Sequence, residues 1–252
     1  MTFFEASQPL VFAHRGGMSL GPENTLHTFD AGMKAGADGL ELDVHLSADG
    51  VVVVHHDTTL ERTTRGSGPV AARTAAELSH LGVPTLGDVL RRYRDARIIV
   101  EMKDDEAALG EAVAHEARAA DAVDRVCAAG FGTAAVEAVR RALPGLATSA
   151  SQDEVRRALH RTWIGVPLRT CAWRGYQVPE RAGWFRVVSP RFVRYAHRAG
   201  LKVQVWTVDD EADMRRLLEW GVDALISNRP GLAVRIRDAW MSDRQSARAP
   251  RA

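Results

Sequence analysis

The chain has 252 residues, 46% of them hydrophobic, and its 33 basic and 32 acidic side chains leave a formal charge of +1. That is the composition of an ordinary globular protein, and so even a balance speaks against nucleic acid or an acidic membrane surface as partner. Cys127 and Cys171 stand far apart in no CxxC pattern, which excludes a zinc ribbon and a disulfide framework and reads as two buried apolar side chains. No eighteen apolar residues follow one another and no basic leader precedes an apolar run, so the expectation is a soluble, cytoplasmic protein without stable membrane insertion.

Short runs rich in Val, Ile and Leu alternate with longer stretches of helical period, the pattern of βαβ units around a parallel sheet. The first predicted strand is LVFAH, ending at His14. A helix follows in PENTLHTFDAGMKAGA, with Pro22 and Glu23 in its first turn and a stop near Gly36. GLELDV is the second strand, ending at Val44, and ADGV beyond it reads as a hairpin turn. From Val44 to Arg97 the chain is too long for one crossover, so an excursion containing TLERTTRGSGPV precedes the helix in TLGDVLRRYRDA. RIIVEM, RVCAA and LATSA are strands ending at Met102, Ala129 and Ala150, with the amphipathic TAAVEAVRRAL between the last two. Between Trp163 and Pro190 tryptophans and arginines alternate without period, and a sixth strand near YQV, ending at Val178, is placed there by counting. Helices in SPRFVRYAHRAG and DDEADMRRLLEWG flank the strand KVQVW, ending at Trp206, and DALIS closes the set at Ser227. Eight strands with helices between them suit a closed (β/α)8 TIM-type barrel. A single domain over 1–238 is therefore expected, with an inserted excursion over about 46–84 and a polar, frayed tail over 239–252.

Glu41 and Asp43 lie two apart on one strand, so both carboxylates project from one face while Leu40, Leu42 and Val44 take the other. Like charges roughly 6–7 Å apart along a strand repel unless a cation sits between them. Glu101, at the end of the next strand, adds a third carboxylate, and three hard oxygen donors suit one divalent cation, Mg²⁺ or Ca²⁺, better than zinc. A solvent-facing acidic pair is the plainer alternative. Lys103 shares the face of Glu101 and either serves that site or pairs with Glu101 at the surface.

If Asp49 and Gly50 form a two-residue turn, Asp43 stands opposite His56 and Val44 opposite His55; a four-residue loop keeps that register, and a three-residue loop with a bulge would swap the two histidines. His56 then lies on the carboxylate side and His55 is a spectator. His45, nearer the turn, is a weaker candidate, solvated or supporting the site from behind. His14 ends the first strand, at the rim where barrel active sites are built, and Arg15 after it offers a planar fork for phosphate oxygens. Gly16 and Gly17 would let backbone N–H groups approach an anion. Two histidines, three carboxylates, an arginine and a lysine together suggest phosphodiester cleavage, the histidines acting as acid and base on opposite sides of phosphorus. Which of them takes the proton stays open.

These motifs resemble the glycerophosphodiester phosphodiesterase family over nearly the whole chain. The resemblance rests on HRGG (His14–Gly17), PENT (Pro22–Thr25), ELDV with the following DG, HD (His56–Asp57), EMK (Glu101–Lys103) and VWTV (Val205–Val208). It implies that Glu41, Asp43 and Glu101 bind the metal, that His14 and His56 are the acid/base pair, and that Arg15 and Lys103 hold phosphate. It also implies a small inserted subdomain after strand 2, over the barrel mouth, and Trp206 lining a pocket for a glycerol or choline-like group. Ser47, Thr58, Asp209 and Asn228 stand where the family more often has Thr, Pro, Asn and Asp. The activity so implied is hydrolysis of a glycerophosphodiester to glycerol 3-phosphate and an alcohol. A lysophospholipid substrate ranks lower, because the excursion carries no exposed apolar segment. A barrel that binds a phosphorylated metabolite without turnover ranks lowest, since no ligand or histidine is missing.

Overall fold

The computed structural model describes residues 3–168 and 171–248. The first half runs β1 (Leu10–His14), α1 (Leu26–Lys34), β2 (Gly39–Leu46), β3 (Val52–Val54), α2 (Ala75–His80), α3 (Leu86–Arg92), β4 (Arg97–Met102), α4 (Ala107–Ala119), β5 (Val126–Gly130) and α5 (Ala134–Ala142). The second runs β6 (Ala147–Thr148), α6 (Gln152–Trp163), β7 (Gly175–Pro179), β8 (Arg181–Ala182), β9 (Phe185–Arg186), α7 (Pro190–Arg198), β10 (Lys202–Trp206), α8 (Glu211–Trp220), β11 (Ala224–Ser227) and α9 (Pro230–Arg248).

Eight strands pair in parallel in the order β6-β5-β4-β2-β1-β11-β10-β7. The wall all but closes between β6 and β7, where Ser149 bridges Gly175 and the Ala150 N–H donates to the Gly175 carbonyl at 2.9 Å. This is the (β/α)8 TIM-type barrel expected, with β6 shortened to two residues. Alternation along the strands builds both layers. Leu40, Leu42 and Val44 of β2 turn outward into a core shared with α1, α3, α4 and α5, while the second half packs its own apolar layer from β7, β10 and β11 against α6 to α9. Inside, Phe12, Ile99, Cys127 and Ile226 form a floor that Phe3 seals from below, its ring stacked on Phe12 at 5.7 Å. Side chains beyond that floor, at the strands' C-terminal ends, look into an open rim.

Several expectations are corrected. Pro22 and Glu23 are not in the first turn of α1: Thr25 is its N-cap, accepting from the Thr28 N–H, and Asn24 before it is left-handed with φ 57°. The PEN segment is therefore a loop, free to reach the rim. At the other end α9 runs past Asp238 to Arg248, where a frayed tail was expected; Trp240 donates to Glu219 of α8 at 2.6 Å. Only residues 249–252 of that stretch lie outside the described residues. Cys127 is buried, but Cys171 only partly so.

The β2–β3 turn is longer than the two residues expected. Val44 pairs with Val54 and Leu46 with Val52, so the ladder is shifted by one residue and Ser47 to Val51 form the turn. The Ser47 hydroxyl explains the length, since it donates to Asp49 Oδ1 at 2.6 Å and accepts from the Val51 N–H at 3.0 Å. Beyond β3, residues 55–85 fold over one side of the rim around a small core of Val53, Leu60, Val70, Leu78 and Val83. A capping box at Thr74 and Glu77 starts α2.

Candidate active site

Register brings the chemistry together: His14 pairs with Glu41 across β1 and β2, and Asp43 with Glu101 across β2 and β4. Glu41, Asp43 and Glu101 each place a carboxylate oxygen within 4.8 Å of the others. They line a pocket of about 200 Å³ together with His14, Arg15, His56, Lys103 and Trp206, so every residue singled out in the sequence for catalysis, metal or substrate faces one space.

The three carboxylates are poorly compensated by protein alone. Burial first, then the charges of Asp43 and Glu101, pushes the Glu41 carboxyl well above its usual range. Glu101 is raised too, chiefly by burial, although Lys103 donates to it at 2.9 Å. Burial works against the charge on Lys103, yet Glu101 and Asp43 outweigh it and hold the ammonium firmly protonated. Lys103 thus faces the site and is not a surface lysine. A cluster of buried oxygen donors whose own charges disfavour ionisation fits a divalent cation.

Arg15 sits between carboxylates, with Nη1 donating to Glu23 at 3.1 Å and Nε 3.2 Å from Asp43 Oδ2. Its backbone is left-handed (φ 51°) and its N–H donates to Glu41 Oε2 at 3.0 Å. The glycines after it were expected to offer N–H groups to an anion, and they do not: Gly16 N–H donates to the Ala13 carbonyl and Gly17 N–H to that of His14. Their requirement is space and positive φ, since a Cβ on Gly16 would stand 2.7 Å from the Phe29 ring.

The two histidines are held differently. His14 Nδ1 donates to Asn228 Oδ1 at 2.7 Å, because the Asn228 amide nitrogen is committed to Asp209 Oδ2, also at 2.7 Å. That leaves the His14 Nε2 lone pair for the pocket, and burial, with Asn228 opposing, lowers the pKa of the ring below that of a free imidazole. His56 Nδ1 meets Asp57 Oδ1 at 2.7 Å, and Arg62 grips Asp57 and Glu23 together. Arg62 above all keeps Asp57 ionised far below the ordinary carboxylate range. An unbroken chain of contacts thus runs Arg15–Glu23–Arg62–Asp57–His56 around the rim.

His56 reaches the pocket by a route other than the one the turn count suggests. In the observed ladder it is His55 whose N–H donates to the Asp43 carbonyl, and after Val54 the chain leaves the sheet. Strict alternation stops there, and His55 turns into the protein to meet the Thr59 carbonyl at 3.0 Å. His45 is buried, not solvated: its Nδ1 lies 2.6 Å from Asp104 Oδ2 and its Nε2–H donates to the His56 carbonyl at 3.1 Å. Sequence reasoning missed Glu23, Asn24, Arg62 and Asp104 as parts of the site. Asn24 donates to Asp43 Oδ2 at 2.9 Å, and the PENT motif was the available signal for it.

Residues 14–232 match the model of the glycerophosphoryl diester phosphodiesterase family. The chain belongs to that family. A glycerophosphodiester phosphodiesterase of Caldanaerobacter subterraneus subsp. tengcongensis is 30% identical over 239 residues, covering 88% of this chain and 94% of the relative. The solved glycerophosphodiester phosphodiesterase of Agrobacterium tumefaciens superposes with a TM-score of 0.74 at 26% identity, covering 91% and 99% of the two chains. A phosphodiesterase of Oleispira antarctica, solved with its product sn-glycerol-3-phosphate, superposes with a TM-score of 0.73 at 25% identity over 92% and 97%. Family membership makes this chain a phosphoric diester hydrolase of the glycerophosphodiester type. No helix among the described residues is long and apolar enough to cross a membrane.

Two of the positions expected from the sequence to depart from the family's pattern meet in the structure. Asp209 and Asn228 are bonded to one another, the Asn228 N–H and amide both donating to the Asp209 carboxylate. One consequence is local: His14 is backed by an amide carbonyl and not by a carboxylate.

Proposed function

We propose that this protein hydrolyses glycerophosphodiesters to glycerol 3-phosphate and an alcohol, with His14 and His56 as base and acid beside a divalent-cation site. One observation carries the reading: two oriented histidines and three mutually repelling buried carboxylates line the same pocket. Glu41, Asp43 and Glu101 would hold the cation, Mg²⁺ or Ca²⁺, which when bound supplies charge stabilisation at the phosphoryl oxygens. Arg15 and Lys103, already at the carboxylates' edge, orient the remaining phosphate oxygens. His14, neutral and with Nε2 unprotonated, takes a proton from the attacking hydroxyl: water's, which gives glycerol 3-phosphate directly, or the glycerol's own, which gives a cyclic phosphate that water then opens. His56, whose charge when doubly protonated is offset by the ionised Asp57, gives a proton to the departing alkoxide. The face of Trp206 is available to the glycerol carbons.

The test is release of glycerol 3-phosphate from glycerophosphocholine by the purified protein in Mg²⁺ or Ca²⁺ and in excess chelator. Turnover with cation and its loss on chelation are expected; turnover indifferent to chelation would remove the cation from the account.

A further inference from the structure

The catalytic pocket does not end at Trp206. A second cavity of about 280 Å³ opens from it, and Glu101, Phe131, Gln177 and Trp206 line both. Phe131 and Trp206 meet edge to face at 6.0 Å and stand at the passage between the two. Beyond them the walls are mainly aliphatic and aromatic, with Val155 and Leu159 from α6, Val178 from β7, Ala182 and Phe185 from the β8–β9 hairpin, and Val187 after it; Ser149, Gln152 and Gln177 are the neutral polar exceptions. Among the lining residues Glu101 is the sole carboxylate and Arg156 the sole cation, and Arg156 is already engaged by Asp153 at 3.2 Å. Phe131 and Phe185 are 46% and 47% exposed, apolar surface that an occupant of the cavity would cover.

A space of this kind is of no use to glycerol or phosphate, which are hydrophilic throughout. Because Glu101 of the carboxylate cluster lines this cavity as well, its occupant is an arm of the molecule whose phosphate lies at the cluster. A choline-like cation is held by aromatic faces, and two of these, Phe131 and Trp206, stand at the mouth; beyond them Phe185 is the one further ring, and Val155, Leu159, Val178 and Val187 offer a cation nothing. We propose that this cavity is a subsite for an aliphatic chain carried by the phosphodiester, so that substrates with an apolar arm are preferred over glycerophosphocholine. The inference rests on the proposed hydrolysis and adds the substrate class. The chain can come from either end of the substrate: an acyl group on the glycerol, as in a lysophospholipid, or an alkyl alcohol as leaving group.

Two substrate series separate these sources, each kept below its aggregation limit: 1-acyl-glycerophosphocholines and glycerophosphoalkanols, with chains of two to eight carbons. Each methylene that enters the cavity should raise kcat/KM about fourfold until the cavity is filled. A rise along the acyl series assigns the chain to the glycerol side, and a rise along the alkanol series assigns it to the leaving group. Profiles that are flat or falling in both, with glycerophosphocholine still hydrolysed, overturn the subsite and leave the reaction standing. No hydrolysis of any member, glycerophosphocholine included, would contradict the reaction itself. Placement is checked by Leu159→Gln and Phe185→Ser, read as the ratio of kcat/KM for the longest and shortest chains within each variant, so that a loss of folded protein cancels. The ratio should fall several-fold in both; an unchanged ratio in both overturns the placement.

Discussion

His14 is set by its neighbours two bonds away. Its Nδ1 can donate only because the Asn228 amide nitrogen is held by Asp209. Replacing Asn228 by Asp would put a second carboxylate against Asp209, so that the pair repels or must take up a proton, at a cost on the order of 1–3 kcal/mol, about five- to 150-fold where it falls on the transition state. Asn228→Asp alone is therefore expected to lower kcat/KM by at least about fivefold. Adding Asp209→Asn restores one acid and one amide, and the double variant should recover most of the activity. Steady-state kinetics of the two single variants and the double variant form the cycle that checks this, and additive losses would show that the pair is not acting as a unit. Neither residue carries a helical or strand signal of its own, and only the departure from the family's usual types marked them.

At the scale of elements, the end of β3 decides which of two adjacent histidines serves the site. His55 is buried and bonded to the Thr59 carbonyl, whereas His56 lines the pocket with Asp57 behind it. His55→Ala is expected to cost about 1–3 kcal/mol of stability for the cavity and the lost hydrogen bond, with kcat within a few-fold. His56→Ala should do the reverse, sparing the melting temperature and losing turnover. Denaturation and kinetics on the two variants decide it, and loss of activity in both alike would mean that the hairpin end works as one unit. The alternation of β2 was legible in the sequence, because period two is enforced where one face packs on helices and the other holds charge. The turn was not, because the Ser47 side chain adds hydrogen bonds that a residue count cannot see. The PEN segment misled for a similar reason: Pro and Glu suit a first helical turn, but Thr25 takes the cap and leaves Asn24 and Glu23 to the rim. Residues 163–190 lacked any period, and there the structure has short strands and a two-stranded hairpin that serve a cavity wall more than a core.

Across the whole molecule the eight strand ends converge on a charge cluster that the fold by itself disfavours. Without a divalent cation the raised pKa of Glu41, due to burial and then to Asp43 and Glu101, means that the folded state keeps a proton the unfolded chain releases. Stability thus falls as pH rises from the ordinary glutamate value of 4.5 through the raised one. Glu41→Gln removes that titration, so in chelator it should raise the melting temperature more at about pH 8 than at about pH 5. Added Mg²⁺ or Ca²⁺ should stabilise the unaltered protein and leave Glu41→Gln less affected; equal stabilisation of the two by cation would separate the cluster from the cation site. The barrel itself was readable from eight apolar runs, and the strand ends from the residues that follow them. The most direct measurement is kcat for glycerol 3-phosphate release from glycerophosphocholine at saturating cation, in His14→Ala and in His56→Ala. Loss of at least about a hundredfold in each, with the circular dichroism of the unaltered protein retained, is the result expected of an acid/base pair. Full turnover by either variant would contradict it.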